Sequence, residues 1–136
     1  MGLRQLGPIA HQKRPYEQYF KRMLNGLLTT AETLDGPIHM PHDGEILGVW
    51  LYRGYPGTSG STIVDVEINN TTIFTTQSNR PTVLQSEALG KRNQSGAIEV
   101  SRFAKGDKVD IDLDQVDAGF PAVAQVDILV RFYPTE

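Results

Sequence analysis

The residues best suited to chemistry are four aspartates near the C-terminus, Asp110, Asp112, Asp114 and Asp117. Carboxylate oxygens gathered in one stretch are what a hard cation such as calcium binds. The spacing argues against that use. Alternate residues of an extended strand stand about 6.6 Å apart, so the first three form a row along one face, and the glycine that a calcium loop needs at its middle is missing. A solvated or partner-facing acidic stripe is expected instead. His39 and His42 point to opposite faces if their segment is extended, and His11 lies far away, so no shared metal is expected. Serine, histidine and aspartate occur without a Gly-x-Ser-x-Gly elbow. Gly57-Thr58-Ser59-Gly60-Ser61 has no helix after it and reads as a flexible loop, neither a nucleophile turn nor a phosphate cradle. The absence of cysteine excludes disulfides and thiolate metal sites. The residues thus point to no catalytic set, no cofactor and no metal.

The elements that position these residues come from a chain of 136 residues, enough for one ordinary domain with its own core. Met1 to Pro8 lack the apolar centre of a signal peptide and no run is long enough to cross a bilayer, so a soluble protein without a membrane partner is expected. The net charge of −3 conceals a division. Residues 1–33 hold Arg4, Lys13, Arg14, Lys21 and Arg22 against Glu17 and Glu32, whereas residues 34–136 are strongly acidic. A basic arm on an acidic body favours contact between unlike surfaces. The basic residues are too scattered to track phosphates, so nucleic acid is not an expected partner.

Residues 1–14, rich in glycine, proline and basic side chains, read as an extended or disordered arm. After Pro15, the positions Tyr16, Tyr19, Phe20, Met23, Leu24 and Leu27 recur at helical spacing, which predicts one amphipathic α-helix, with Gly26 weakening its last turn. Residues 1–33 therefore form an arm-and-helix unit ahead of a domain spanning 34–136. There the punctuation is that of a β protein. Pro37 to Pro41 makes a short edge segment. Glu45 to Arg53 reads as a strand with Ile46, Gly48, Trp50 and Tyr52 on one face and Leu47, Val49 and Leu51 on the other. Both faces are apolar, which calls for cover on both sides. Ser61–Ile68 alternates with Thr62, Val64, Val66 and Ile68 inward and turns through Asn69-Asn70 into Thr71–Thr76. Short strands follow at 81–84, 97–103, 108–116 and 126–132, the third carrying Val109, Ile111 and Leu113 opposite its aspartates. The expected fold is mainly β, an antiparallel β-sandwich of jelly-roll type with seven or eight strands.

An ordered series of phrases carries a family likeness: Gly44-Glu45-Ile46, Asp65 to Thr76, Asn79-Arg80-Pro81, Lys105-Gly106-Asp107 and Asp112 to Val116. Over residues 36 to 133 the chain resembles small β-sandwich modules of tailed-bacteriophage virions, found in capsid decoration (cement) proteins and in tail-fibre or baseplate proteins. The resemblance implies a non-enzymatic virion structural protein, made in the host bacterial cytoplasm and commonly a homotrimer. Its implied partners are the major capsid protein or other virion proteins. The leading expectation is a decoration protein, with a receptor-binding tail module or a carbohydrate-binding module, stacking sugars on Trp50, Tyr52 and Tyr55, as alternatives. Partner binding is expected from Arg4, Lys13, Arg14, Tyr16, Tyr19, Phe20, Met23, Leu24 and Leu27, and the oligomer interface from Leu47, Val49 and Leu51. Trp50, alternating with buried positions, is expected in the core.

Overall fold

A computed structural model of the chain describes residues 14–31, 33–88 and 90–135. Among these residues the strands are β1 (Tyr16–Leu27), β2 (Ile38–His39), β3 (Gly44–Tyr55), β4 (Ser61–Ile68), β5 (Thr71–Thr72), β6 (Thr82–Leu84), β7 (Arg92–Gln94), β8 (Arg102–Phe103), β9 (Lys108–Gln115) and β10 (Ala122–Phe132), with one 3-10 turn at Gln77–Asn79. They form two antiparallel sheets. The first runs β1-β10-β3-β7, with β8 also on β3; the second runs β2-β9-β4-β5, with β6 also on β4. Alternation puts Val64 and Val66 of β4, Ile111 and Leu113 of β9, Val49 and Leu51 of β3, and Val126 and Ile128 of β10 into one shared core. Each such side chain contributes about 1.5–3 kcal/mol by leaving water.

The expected helix is a strand. Residues Tyr16–Leu27 pair antiparallel with β10 from Tyr16↔Phe132 to Leu24↔Ala124, and Gly26, at φ +81°, sits at the irregularity before Leu27 pairs with Ala122. The helical stripe is ambiguous because its members Tyr16, Phe20 and Leu24 are also separated by even numbers and share one face of a strand. No Ser, Thr, Asp or Asn precedes Pro15 to cap a helix. Tyrosine and phenylalanine suit a pleated surface, and β10 offers a long apolar strand to pair with. Phe20 and Leu24 pack on the core, while Tyr19 and Met23 stand outward and exposed.

Strand β3 also departs from the expected alternation. Leu129 faces Gly48 and Val130 faces Ile46, so Leu47 is an extra residue on β3, a β-bulge. The bulge reverses the alternation. Ile46 joins Val49, Leu51 and Arg53 on the buried side, and Trp50 and Tyr52 move to the outside, half-buried. The two-sided apolar strand thus resolves into a core face and an aromatic outer face.

The Asn69-Asn70 turn forms as expected, with φ of 50° and 69°, values that asparagine tolerates. The expected strand 97–103 shortens to β8. Upstream of it the chain stitches back through Glu99 and Val100, whose N–H groups both donate to Ile73 C=O. The chain crosses from the first sheet to the second after β1, where Ala31 bridges Leu113 and Leu34 N–H donates to Ile111 C=O.

Candidate binding face

Cross-strand pairing assembles the outer face of the first sheet in rows. Lys21, Asp127, Trp50 and Gln94 are successive partners across β1, β10, β3 and β7; Met23, Gln125, Tyr52 and Arg92 form the next row; Tyr19, Leu129 and Gly48 lie on the other side. Asp127 is the centre of the face. It is 3% exposed, and its carboxylate accepts from Lys21 Nζ at 3.2 Å, Arg92 Nη2 at 3.0 Å and Gln125 Nε2 at 2.8 Å. Burial pushes this carboxyl up, but the donors from Gln125, Arg92 and Lys21 outweigh it and hold the group below its ordinary value.

The aromatic part is built around Trp50. The Arg92 guanidinium lies 5.0 Å from its ring centre, Tyr19 stands 5.9 Å away at a 56° tilt, and Lys21 Nζ is 5.4 Å over the Tyr19 ring. A side chain at position 48 would meet Trp50, since a Cβ there falls 2.6 Å from the indole. Gly48 therefore gives the indole its seat. Two cations, one buried carboxylate and three aromatic rings, with Met23 49% exposed beside them, make a face of the composition that protein interfaces favour.

Of the sequence-expected binding residues, Arg4 and Lys13 lie outside the described residues. Arg14 is exposed; Tyr19, Met23 and Leu27 are exposed at 48, 49 and 62%. Tyr16 packs on Phe132 at 5.2 Å and edge-on to His42. Phe20 and Leu24 turn inward. Leu47 is half-buried at the bulge, and Val49 and Leu51 are fully buried within this one chain, so those two side chains are spent on its own core. Trp50, expected inside, is on the outer face. Its neighbours Asp127 and Arg92 were not singled out by sequence reasoning. Gly48 inside a strand was the available signal, since a strand glycine marks a bulge or a close approach.

Two further polar constellations lie elsewhere. Asp117 does not extend the acidic row. It is buried against Arg53, with Nη1 donating to Oδ2 at 2.7 Å, and it also accepts from Gly57 N–H at 3.0 Å and Thr62 Oγ1 at 2.9 Å. Of the other three, Asp114 is exposed and pairs with Arg80 Nη1 at 2.7 Å, whereas Asp110 and Asp112 are less solvated than the stripe expected from the sequence. Asp110 and Asp112 are 1% and 6% exposed, and the crossing segment reaches Asp112 through Thr33 N–H at 2.8 Å. Across the strand pair they face Glu67 and Asp65. Burial raises the Asp65 carboxyl above its usual range, and burial together with Asp112, Asp65, Asp110 and Asp114 raises that of Glu67. Among the described residues no group of three or more His, Cys, Asp or Glu side chains is placed to hold a metal ion, and no helix is long and apolar enough to cross a membrane.

No family model matches the chain, and no curated protein matches it. Among solved structures the chain is similar to one in the cyanophage Pam1 capsid asymmetric unit, at 17% identity, covering 89% of this chain and 85% of that one, with a TM-score of 0.48. It is also similar to a chain of the acidic stable capsid of Helicobacter pylori bacteriophage KHP30, at 15% identity, 90% and 95% coverage and a TM-score of 0.44. The crystal structure of FLHE matches at 12% identity, 88% and 96% coverage and a TM-score of 0.39. These likenesses concern the course of the chain and assign no residue a role.

Proposed function

We propose that the protein is a non-enzymatic structural component of a bacteriophage virion, a decoration (cement) subunit that binds the shell through the outer face of the first sheet. The observation that carries the reading is the organised face around Trp50 and Asp127, where half-exposed aromatic and methionine side chains surround an ion cluster already paired within the chain. Such a face loses little on docking, because its buried carboxylate keeps its own donors when water leaves. The ordered phrases shared with virion β-sandwich modules support the same reading. The shell would be stabilised by mass action, because a subunit that binds only assembled capsid lowers the free energy of that state. No chemistry is needed. The partner is the major capsid protein or another virion protein.

The test is to add the purified protein to capsids that lack it and to count bound copies. The expected result is saturation at several hundred copies per particle, with Tyr19→Ala and Met23→Ala each weakening binding by about tenfold or more. Saturation at a handful would indicate a tail module, and no binding would overturn the virion reading. The position of Trp50 on the surface favours one alternative, a carbohydrate-binding module. That reading requires a sugar to displace Arg92 from the ring, and it would be recognised by quenching of Trp50 fluorescence with oligosaccharides but not with capsids.

A further inference from the structure

Strand β1 is twelve residues long, and among the described residues only β10 pairs with it. Its other edge therefore presents a row of backbone donors and acceptors, the template that a further strand uses. The side chains point the same way. Phe20, Arg22 and Leu24 face the interior yet stay half-buried, whereas their partners Ile128, Val126 and Ala124 are at most 1% exposed. Arg22 Nε is sealed from solvent without a hydrogen-bond acceptor, its nearest carboxylate oxygen being Asp35 Oδ2 at 3.9 Å. The inner side of β1 is thus incomplete along its free edge.

We propose that this edge is covered by β1 of a second copy of the chain, antiparallel, with the two-fold axis passing between the two Tyr19 residues. The register follows from charge. Pairing that keeps inner side chains inner must place residues of like parity opposite each other. Centring on Tyr19 sets Glu17 opposite Lys21 twice, Tyr19 opposite Tyr19, and Tyr16 opposite Arg22 on the inner side, where a guanidinium can lie on the phenol ring. The two first sheets become one continuous sheet, and the two outer faces around Trp50 lie side by side. This inference does not depend on the identity of the virion partner.

The chain has no cysteine, which makes an introduced one a clean reporter. Directly opposed residues of antiparallel strands have Cα atoms about 4.5–5.5 Å apart, within disulfide range. The experiment combines sedimentation of the full chain at micromolar concentration with single substitutions Glu17→Cys, Tyr19→Cys and Lys21→Cys under mild oxidation. The expected result is a species of twice the 15.1 kDa chain mass, crosslinked efficiently only through position 19, and a dimer dissociation constant raised about tenfold or more by Tyr19→Lys. Circular dichroism of Tyr19→Lys checks that the fold is kept, since the side chain points outward. A monomer at all concentrations overturns the proposal. So does a crosslink that peaks at position 17 or 21. A monomer that dimerises only after residues 1–13 are deleted also overturns it, by showing that the chain's own N-terminal segment covers the edge.

Discussion

Removing Asp117 should be among the most damaging single changes in the molecule. Its side chain and that of Arg53 are both 0% exposed and are joined by a 2.7 Å ion pair. The same carboxylate also holds the loop at Gly57 and the hydroxyl of Thr62. Arg53 belongs to the first sheet, Thr62 to the second, and Asp117 to the segment after β9, so one carboxylate ties the two sheets together at this end. Asp117→Ala leaves a guanidinium in the core with no counter-charge, and its Nε and Nη2 already lack hydrogen-bond partners. Breaking a buried pair from one side costs about 3–5 kcal/mol. With a urea m-value of about 1–3 kcal/mol/M, the midpoint should fall by on the order of 2 M. The double variant Arg53→Met with Asp117→Asn removes both charges and keeps an acceptor for Gly57 and Thr62. It should recover most of the loss, and a cycle closed with the single variants Arg53→Met and Asp117→Asn should give a coupling energy of about 2 kcal/mol or more. If Asp117→Ala costs less than about 1 kcal/mol, or if the double variant is as unstable as the single, the pair is not the clamp described.

The acidic side of the second sheet gives a pH prediction. Asp65 and Glu67 have folded-state carboxyl pKa values above their ordinary 3.8 and 4.5, so their contribution favours the fold below those ordinary values and is lost as pH rises through the folded ones. Glu67→Gln should therefore raise the thermal midpoint at pH 7 and leave it nearly unchanged at pH 4, as followed by circular dichroism. Asp127 has the opposite sign: its lowered pKa gives stability above the ordinary value of 3.8 that is lost as pH falls through the folded one. Asp127→Asn should cost stability at pH 7 and progressively less toward pH 3 in the same melts. Trp50 is the only tryptophan, so its fluorescence reports on the outer face alone. Gly48→Ala, which brings a methyl group against the indole, should shift the emission to the red and weaken capsid binding, and an unchanged spectrum would contradict the packing.

Much of the second sheet was legible because β4 and β9 alternate over most of their length, with Val64, Val66 and Ile68 of β4 and Val109, Ile111 and Leu113 of β9 on one face and Asp65, Glu67, Asp110 and Asp112 on the other. The Asn-Asn turn was legible because few other residue pairs accept two consecutive positive φ values. Two local features defeated the reading of the first sheet. In β1, side chains at spacing of four satisfy both the helical and the strand periods, and what decides between them is β10, a hundred residues away, which pairs with nearly the whole segment. In β3, one inserted residue at Leu47 exchanges the faces of everything beyond it, so an alternation read straight through assigns Trp50 to the core and Leu47 to the side that holds Val49 and Leu51. The buried Arg53–Asp117 pair could not be read at all, because its members stand 64 residues apart.

The bulge also connects fold to function. Without Leu47 as the extra residue, continuous alternation from Ile46 would send Trp50 and Tyr52 inward and Val49, Leu51 and Arg53 outward. Asp117 would then have no buried cation, and Asp127 would lose the indole over which Arg92 is held. A single insertion thus sets both the inter-sheet clamp and the outer aromatic face. Deleting Leu47 removes the extra residue and leaves Ile46 inward, Gly48 outward, Val49 inward and Trp50 outward, so a folded variant should keep both the clamp and the outer face, with native Trp50 emission and native capsid binding. Blue-shifted, protected Trp50 emission with loss of capsid binding in a folded deletion variant would mean that another residue takes over the bulge and that Leu47 does not set the alternation.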